Sequence, residues 1–155
     1  MKRSTILTLT MTTVLGTAAL GYAVSVAAQS AAPTLTVYKS PTCGCCGKWI
    51  VHMREQGFVV KSLDVDDINT VKTTYGVPAD AASCHTALVG GYVVEGHVPA
   101  DTVKRLLREK PKVAGIAAPG MPVGSPGMEV PSGEVEHYNI VSFQKDGKTA
   151  VYEKR

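Results

Sequence analysis

The sequence predicts a single α/β domain in which helices flank a mixed sheet. Alternating strand patterns and helical patterns follow one another in the order β-α-β-α-β-β-α. A C-x-x-C pair, Cys43 and Cys46, falls in the turn between the first strand and the first helix. That element order, with a cysteine turn at that position, is typical of a thioredoxin-like sandwich.

Four of the predicted elements end next to a proline or at a glycine. Pro41 ends the first strand, Gly57 and Gly76 end the first two helices, and Pro111 ends the third. The strand-to-helix crossovers favour a parallel strand pair at the centre of the sheet, and a Gly-Gly turn favours an antiparallel hairpin beside it. The predicted strands are 34–40, 58–65, 85–89 and 92–96, and the predicted helices are 47–57, 66–76 and 99–110.

A segment rich in glycine and proline follows the third helix. Residues 114–133 show neither a helical nor a strand period. A C-terminal β-hairpin is predicted after them, with its turn at Asp146-Gly147. The segment is either a flexible linker or an ordered loop, and a long ordered loop in a compact domain often has a function.

The first 28 residues have the pattern of a secretory signal peptide. A basic start at Lys2 and Arg3 precedes a long uncharged stretch, and Ala28 ends a small-residue cleavage pattern. We therefore expect residues 1–28 to be removed on export and residues 34–155 to form the mature domain, with no membrane attachment afterwards. An uncleaved membrane anchor is the alternative, because the uncharged stretch is long enough to span a bilayer.

The charge balance gives no reason to expect a nucleic-acid partner. The chain has 16 basic and 13 acidic residues, and loss of Lys2 and Arg3 with the signal peptide leaves 14 basic residues. A solvated helix face explains the basic run at 104–112, whereas nucleic-acid binding needs a clustered basic surface. The mature domain is therefore expected to be nearly neutral and to bind no nucleic acid.

Three of the four cysteines lie within four residues, in the stretch TCGCC. Four cysteines in an exported protein would ordinarily form two structural disulfides. The crowding argues against this, because a disulfide between near neighbours closes a short loop and stabilises little. Cys43 and Cys46 form the redox pair, and the start of the following helix favours their thiolates. Cys45 is superfluous to dithiol chemistry, so it is either a competing partner or a metal ligand.

A soft cation would relieve the repulsion between three neighbouring thiolates. Thiolates select Cu(I), Zn(II) or iron–sulfur clusters. Cys84 and His85 enter the third predicted strand, which in a thioredoxin-like fold passes close to the cysteine turn. Cys84 could also be an inert buried thiol, and His85 could point away from the cluster because adjacent strand residues face opposite sides.

Methionine and histidine supply the remaining candidate ligands. Met121 and Met128 lie in the Gly/Pro-rich segment, where each thioether is either a Cu(I) ligand or a hydrophobic anchor. His97 ends a predicted strand and His137 opens the last hairpin, and both are expected to be bystanders.

Three stretches of the sequence resemble the CopG-type copper-resistance proteins, a family of small exported proteins: SPTCGCCGKW, SCHTALVGGYVVEGHVP and AAPGMPVGSPGME. The resemblance spans residues 35–143, nearly all of the mature chain. It implies a thioredoxin-like fold, a bacterial periplasmic location and copper handling through the C-x-C-C cysteines. Carried over by motif, it implicates as copper ligands Cys43, Cys45, Cys46 and Cys84, with Met121 and Met128 as further candidates.

The sequence therefore predicts a periplasmic copper-binding protein that holds copper as Cu(I) or Cu(II), with periplasmic copper-handling proteins as partners. Four thiolates carry a charge of about −4, which one Cu(I) does not neutralise, so a polynuclear Cu(I) cluster is expected. If the motif is redox-active, Cys43 and Cys46 are the catalytic residues and couple thiol oxidation to copper valence. The alternative is a plain thiol–disulfide oxidoreductase. Zinc or iron–sulfur storage ranks third, because the usual ligand spacings are absent.

Overall fold

The structure is a computed structural model and describes residues 32–155. The signal peptide predicted over residues 1–28 therefore lies outside the described residues. Between residues 32 and 155, no helix has the length and apolar character needed to cross a membrane.

The elements of the described chain follow the predicted order, and the predicted thioredoxin-like α/β arrangement is confirmed. The predicted C-terminal hairpin is also present, and one strand, Gly115–Ala117, was not predicted. The bounds are β1 Thr34–Lys39, α1 Gly44–Glu55, β2 Val59–Asp64, α2 Ile68–Thr74, β3 Thr86–Val89, β4 Tyr92–Glu95, α3 Ala100–Glu109, β5 Gly115–Ala117, β6 Asn139–Phe143 and β7 Thr149–Lys154.

All seven strands belong to one mixed sheet in the order β2-β1-β3-β4-β5-β6-β7. β1 and β2 are parallel, as predicted, and β3 and β4 form the predicted antiparallel hairpin. The prediction that the parallel pair lies at the centre is wrong, because β2 is an edge strand. Strands β5, β6 and β7 are all added beyond β4, so β4 lies at the centre of the sheet.

The largest departure from the sequence prediction is β5, which lies inside the Gly/Pro-rich segment. This strand pairs in parallel with β4 and antiparallel with β6. Its three residues, Gly115, Ile116 and Ala117, are all buried, so the strand has no polar alternation that a period could reveal. β5 makes the C-terminal hairpin β6–β7 a continuation of the sheet.

Helix α1 begins at Gly44, three residues earlier than predicted, and Cys43 is its N-cap. The cap residue is extended, with φ −75° and ψ 95°, and its side chain does not bond to the helix amides. Cys45 and Cys46 therefore lie in the first helical turn. Farther along, Trp49 and Met53 are fully buried against the sheet and anchor the helix.

The sheet buries an apolar cluster on each face. Val93 and Val94, adjacent on β4, belong to different clusters because successive strand residues point to opposite faces. The larger cluster includes the buried faces of α1 and α3. The smaller one centres on Phe143 of β6, which is fully buried together with Val93 and Ala117.

Phe143→Ala tests whether the C-terminal hairpin unfolds together with the rest of the domain. We expect the substitution to lower the free energy of unfolding by about 3–5 kcal/mol, because it empties a large buried site. Val135→Ala, at a residue that is 65% exposed, should change the free energy of unfolding by at most about 0.5 kcal/mol. Urea unfolding followed by Trp49 fluorescence measures both. Equal effects would mean that the hairpin is not part of the cooperative unit.

Candidate metal centre and thiol site

The cysteine turn lies at the start of α1, where helix amides are unpaired. The first turn carries no acidic residue, and Cys43 leaves the amides free of a side-chain cap. These amides and the positive end of the helix dipole stabilise negative charge on nearby sulfur. The positive end of helix α1 therefore lies beside the cysteine sulfurs.

The structure shows the C-x-x-C pair in its oxidised form. Cys43 and Cys46 form a disulfide, with their Cα atoms 5.4 Å apart. Cys45 remains a free, half-buried thiol, with its Sγ 3.5 Å from Cys43 Sγ. A third sulfur thus lies within reach of the bond that the other two form.

Cys84 brings the fourth sulfur to the same place. The Sγ atoms of all four cysteines lie within 4.8 Å of one another. Cys84 and His85 precede β3 rather than lie in it, so the alternation of strand residues does not separate them. His85 Nδ1 lies 3.3 Å from Cys84 Sγ.

A buried polar network fixes the backbone on both sides of Cys84 and His85. The Glu95 carboxylate accepts hydrogen bonds from Ser83 N at 2.7 Å and from Thr86 Oγ1 at 2.7 Å. Lys72 Nζ lies 2.5 Å from the same carboxylate and 3.3 Å from Thr86 Oγ1. Because the pair is buried, removal of either charge would leave the other uncompensated, at a cost of about 3–5 kcal/mol.

His97 is part of the site, contrary to the expectation that it is a bystander. Its Nε2 lies 2.9 Å from Cys84 Sγ, and its Nδ1 donates a hydrogen bond of 2.8 Å to the Pro126 carbonyl. The register of the β3–β4 hairpin could have predicted the proximity of His97 to Cys84. Thr86 pairs with Glu95, so continuing the register by two residues sets Cys84 opposite His97.

Burial controls the protonation of this group. Burial, followed by the nearby Cys45, raises the pKa of the Cys84 thiol to about 12. Burial lowers the pKa of His97, and it holds that of His85 well below its usual value, with the charges of His97 and Lys72 adding to the effect. Both imidazoles are therefore neutral near pH 7, and a metal that binds Cys84 must displace a proton.

The Gly/Pro-rich segment packs over the first turn of α1. Gly127 has φ +87°, and a Cβ there would lie 2.8 Å from both the Cys45 carbonyl oxygen and the Trp49 amide nitrogen. Only glycine permits this approach. The segment is therefore an ordered part of the site rather than a flexible linker.

Each of the two candidate methionines directly follows a glycine through which the segment contacts the rest of the site. Gly120 forms a parallel bridge with Ser83. The residues that follow these two, Met121 and Cys84, therefore lie on neighbouring stretches of backbone. Met121 is 53% exposed. Met128 follows Gly127 and is half-buried. His137 is exposed, and its Nδ1 lies 3.3 Å from the Arg155 carbonyl oxygen.

The fold and the site define a thioredoxin-like domain that combines a redox-type cysteine turn with a cluster of soft metal donors. Two solved structures are similar to this chain. "Copper resistance protein copG- Form 2" is 40% identical, with a TM-score of 0.75, over 80% of this chain and 98% of that chain. "Copper resistance protein copG- Form 1" is also 40% identical, with a TM-score of 0.73, over 79% and 96%. The chain belongs to the CopG copper-resistance family.

Comparisons with family models and with curated proteins give one partial match. A family described as "Protein of unknown function, DUF411" matches residues 81–128, a range that includes Cys84, His97 and both loop methionines. A comparison with curated proteins gives no match.

Gly127→Ala tests the packing of the segment on α1. Gly133→Ala is the matched control, because Gly133 has a similar φ of +73° but nothing within 4 Å of its Cβ position. The control should cost about 1 kcal/mol from backbone strain alone. Gly127→Ala should cost about 1–3 kcal/mol more through the clash and should speed alkylation of Cys45. Thermal unfolding and thiol labelling measure the two effects, and equal results for the two variants would contradict the packing.

Proposed function

We propose that this protein is an exported, periplasmic copper-binding protein that holds Cu(I) through Cys43, Cys45, Cys46 and Cys84. The observation that carries the proposal is the convergence of four sulfur atoms within 4.8 Å of one another. Thiolates are the ligands that Cu(I) prefers. Membership of a copper-resistance family supports copper rather than zinc as the metal.

The charge of the site favours several copper ions over one. Four thiolates amount to about −4, and a single Cu(I) would leave most of this charge uncompensated at a half-buried site. Sulfur atoms this close together can bridge neighbouring ions, which shares the charge among them. We therefore expect a polynuclear Cu(I) thiolate cluster in the reduced protein.

Met121, Met128 and His85 are the further ligands in this proposal. The backbone contacts of Gly120 and Gly127 support a role for the two methionines, because they hold the segment against Cys84 and the first turn of α1. The 3.3 Å approach of His85 Nδ1 to Cys84 Sγ supports a role for the histidine. Thioether and imidazole donors would complete coordination without adding negative charge.

The Cys43–Cys46 disulfide couples copper binding to redox state. Forming this bond releases two electrons from the two thiolates, and two Cu(II) ions can take one electron each to become Cu(I). The same step removes two of the four sulfur ligands, which loosens the bound copper. Reduction restores the full donor set, so the protein would take up, change the valence of or hand over copper according to its thiol state.

Anaerobic titration of the reduced, signal-free protein with Cu(I) against a competing chelator tests the proposed cluster. We expect two or more tightly bound Cu(I) per chain, with loss of the cluster in Cys45→Ser. Met121→Leu and Met128→Leu should weaken binding, whereas Met53→Leu should not, because Met53 is fully buried in the core. One copper or fewer in the carefully loaded parent protein would contradict a polynuclear site.

A plain thiol–disulfide oxidoreductase is the second candidate, because the disulfide lies at a helix N-terminus with a free thiol beside it. Insulin reduction by metal-free protein separates the two functions, with Cys43→Ser as the inactive control. The copper proposal predicts weak insulin reduction and a reversible loss of copper affinity on thiol oxidation. Efficient insulin reduction without any such change in affinity would favour the oxidoreductase.

A further inference from the structure

We propose that Cys84, His85 and His97 form a second copper subsite, which takes Cu(II) when Cys43 and Cys46 are joined in their disulfide. Their ligand atoms lie within 4.8 Å of one another and form a second group that overlaps the all-cysteine one. Cys84 is the single residue common to both groups. This inference rests on the proposed copper function and adds to the cysteine cluster a subsite with two nitrogen donors.

The orientation of His97 is that of a metal ligand. Its Nδ1–H donates to the Pro126 carbonyl, which can only accept, so the unprotonated Nε2 faces Cys84 Sγ. Histidines that bind metals usually donate their other ring N–H to a carbonyl or carboxylate, and this bond fixes the tautomer and the ring orientation. The hydrogen bond to the Gly/Pro-rich segment therefore orients the His97 ring so that the lone pair of Nε2 points toward Cys84 Sγ.

His85 supplies the second nitrogen. Its ring is fully buried, with its centroid 4.4 Å from that of Trp49 and 5.1 Å from that of His97. Its Nδ1 is the ring atom nearer Cys84, while Nε2 has no hydrogen-bond partner among the described residues. Metal binding at Nδ1 would place the proton of the neutral ring on Nε2.

The spacing of the donors suits an ion after a small expansion. Metal–sulfur and metal–nitrogen bonds of about 2.3 Å and 2.0–2.1 Å place a sulfur ligand and a nitrogen ligand about 3.6–3.8 Å apart in tetrahedral or trigonal sites. The Sγ–N distances here are 2.9 Å and 3.3 Å, so each must widen by less than an ångström. The hydrogen bond between Cys84 and His97 accounts for the closer pair, and a metal would replace its proton.

The chemistry of the donors assigns Cu(II) to this subsite. Imidazole suits Cu(II), and two histidines with one cysteine form the donor set of Cu(II) electron-transfer sites. The disulfide withdraws Cys43 and Cys46 from binding but leaves Cys84, His85 and His97 unchanged. The oxidised protein thus keeps a set that favours Cu(II), whereas the reduced protein presents a set that favours Cu(I).

The test adds Cu(II) to oxidised, signal-free Cys45→Ser protein, in which the disulfide is intact and Cys84 is the single remaining thiol. Rapid-mixing absorption and freeze-quenched EPR should show a thiolate-to-Cu(II) charge-transfer band and coupling to two nitrogens. Cys84→Ser in this background should abolish the band. His97→Asn should weaken Cu(II) binding by at least about 10–100-fold, the effect of losing only an orienting partner, while its amide can still donate to Pro126.

His137→Gln is the matched control, because His137 is an exposed histidine and should not affect the spectrum. The subsite is overturned if Cu(II) fails to bind, if the band survives Cys84→Ser, if His97→Asn leaves the affinity for Cu(II) unchanged, or if the band is lost in His137→Gln. Near-UV circular dichroism of Trp49 checks that each variant is folded. If reduced protein binds Cu(I) in the earlier titration but these spectra are absent, the subsite alone fails. If both experiments fail, the copper function fails with it.

Discussion

The position of Cys84 opposite the first turn of α1 is the constraint on which the whole site depends. A cysteine turn on a helix N-terminus provides a redox pair and one spare thiol, but it does not by itself make a metal centre. The fourth sulfur comes from the chain that enters β3, and Glu95 holds that chain by bonding to Ser83 and Thr86. Lys72 neutralises Glu95 from α2, so a buried ion pair supports the backbone on either side of Cys84.

The Gly/Pro-rich segment closes the site from the other side and links it to the C-terminal sheet. It bonds to His97 through Pro126, bridges to Ser83 through Gly120 and contacts α1 through Gly127. β5 lies at its start and β6 follows it, so both ends of the segment are anchored in the sheet. Gly120, Pro126 and Gly127 thus each bring a backbone group of the segment against a residue that borders the cysteine cluster.

The sequence predicted the parts of the protein that depend on local chemistry. Periodicity located the strands and helices of the thioredoxin-like core, and the spacing of Cys43, Cys45 and Cys46 indicated a soft-metal or redox turn. β5 was missed because three residues buried on both faces carry no period. His97 is predicted to be a bystander, because its contact with Cys84 depends on the hairpin register that pairs Thr86 with Glu95. The ion pair between Lys72 and Glu95 could not be predicted from the sequence, since it depends on how α2 packs on the sheet.

X-ray absorption at the copper edge of the reduced, copper-loaded protein tests the central claim most directly. The claim is that four sulfur atoms, brought together by α1 and the chain entering β3, bind several Cu(I) ions. It predicts an edge typical of Cu(I), a first shell dominated by sulfur, and a copper–copper contribution that disappears in Cys84→Ser. A first shell of nitrogen and oxygen without copper–copper scattering would contradict the account.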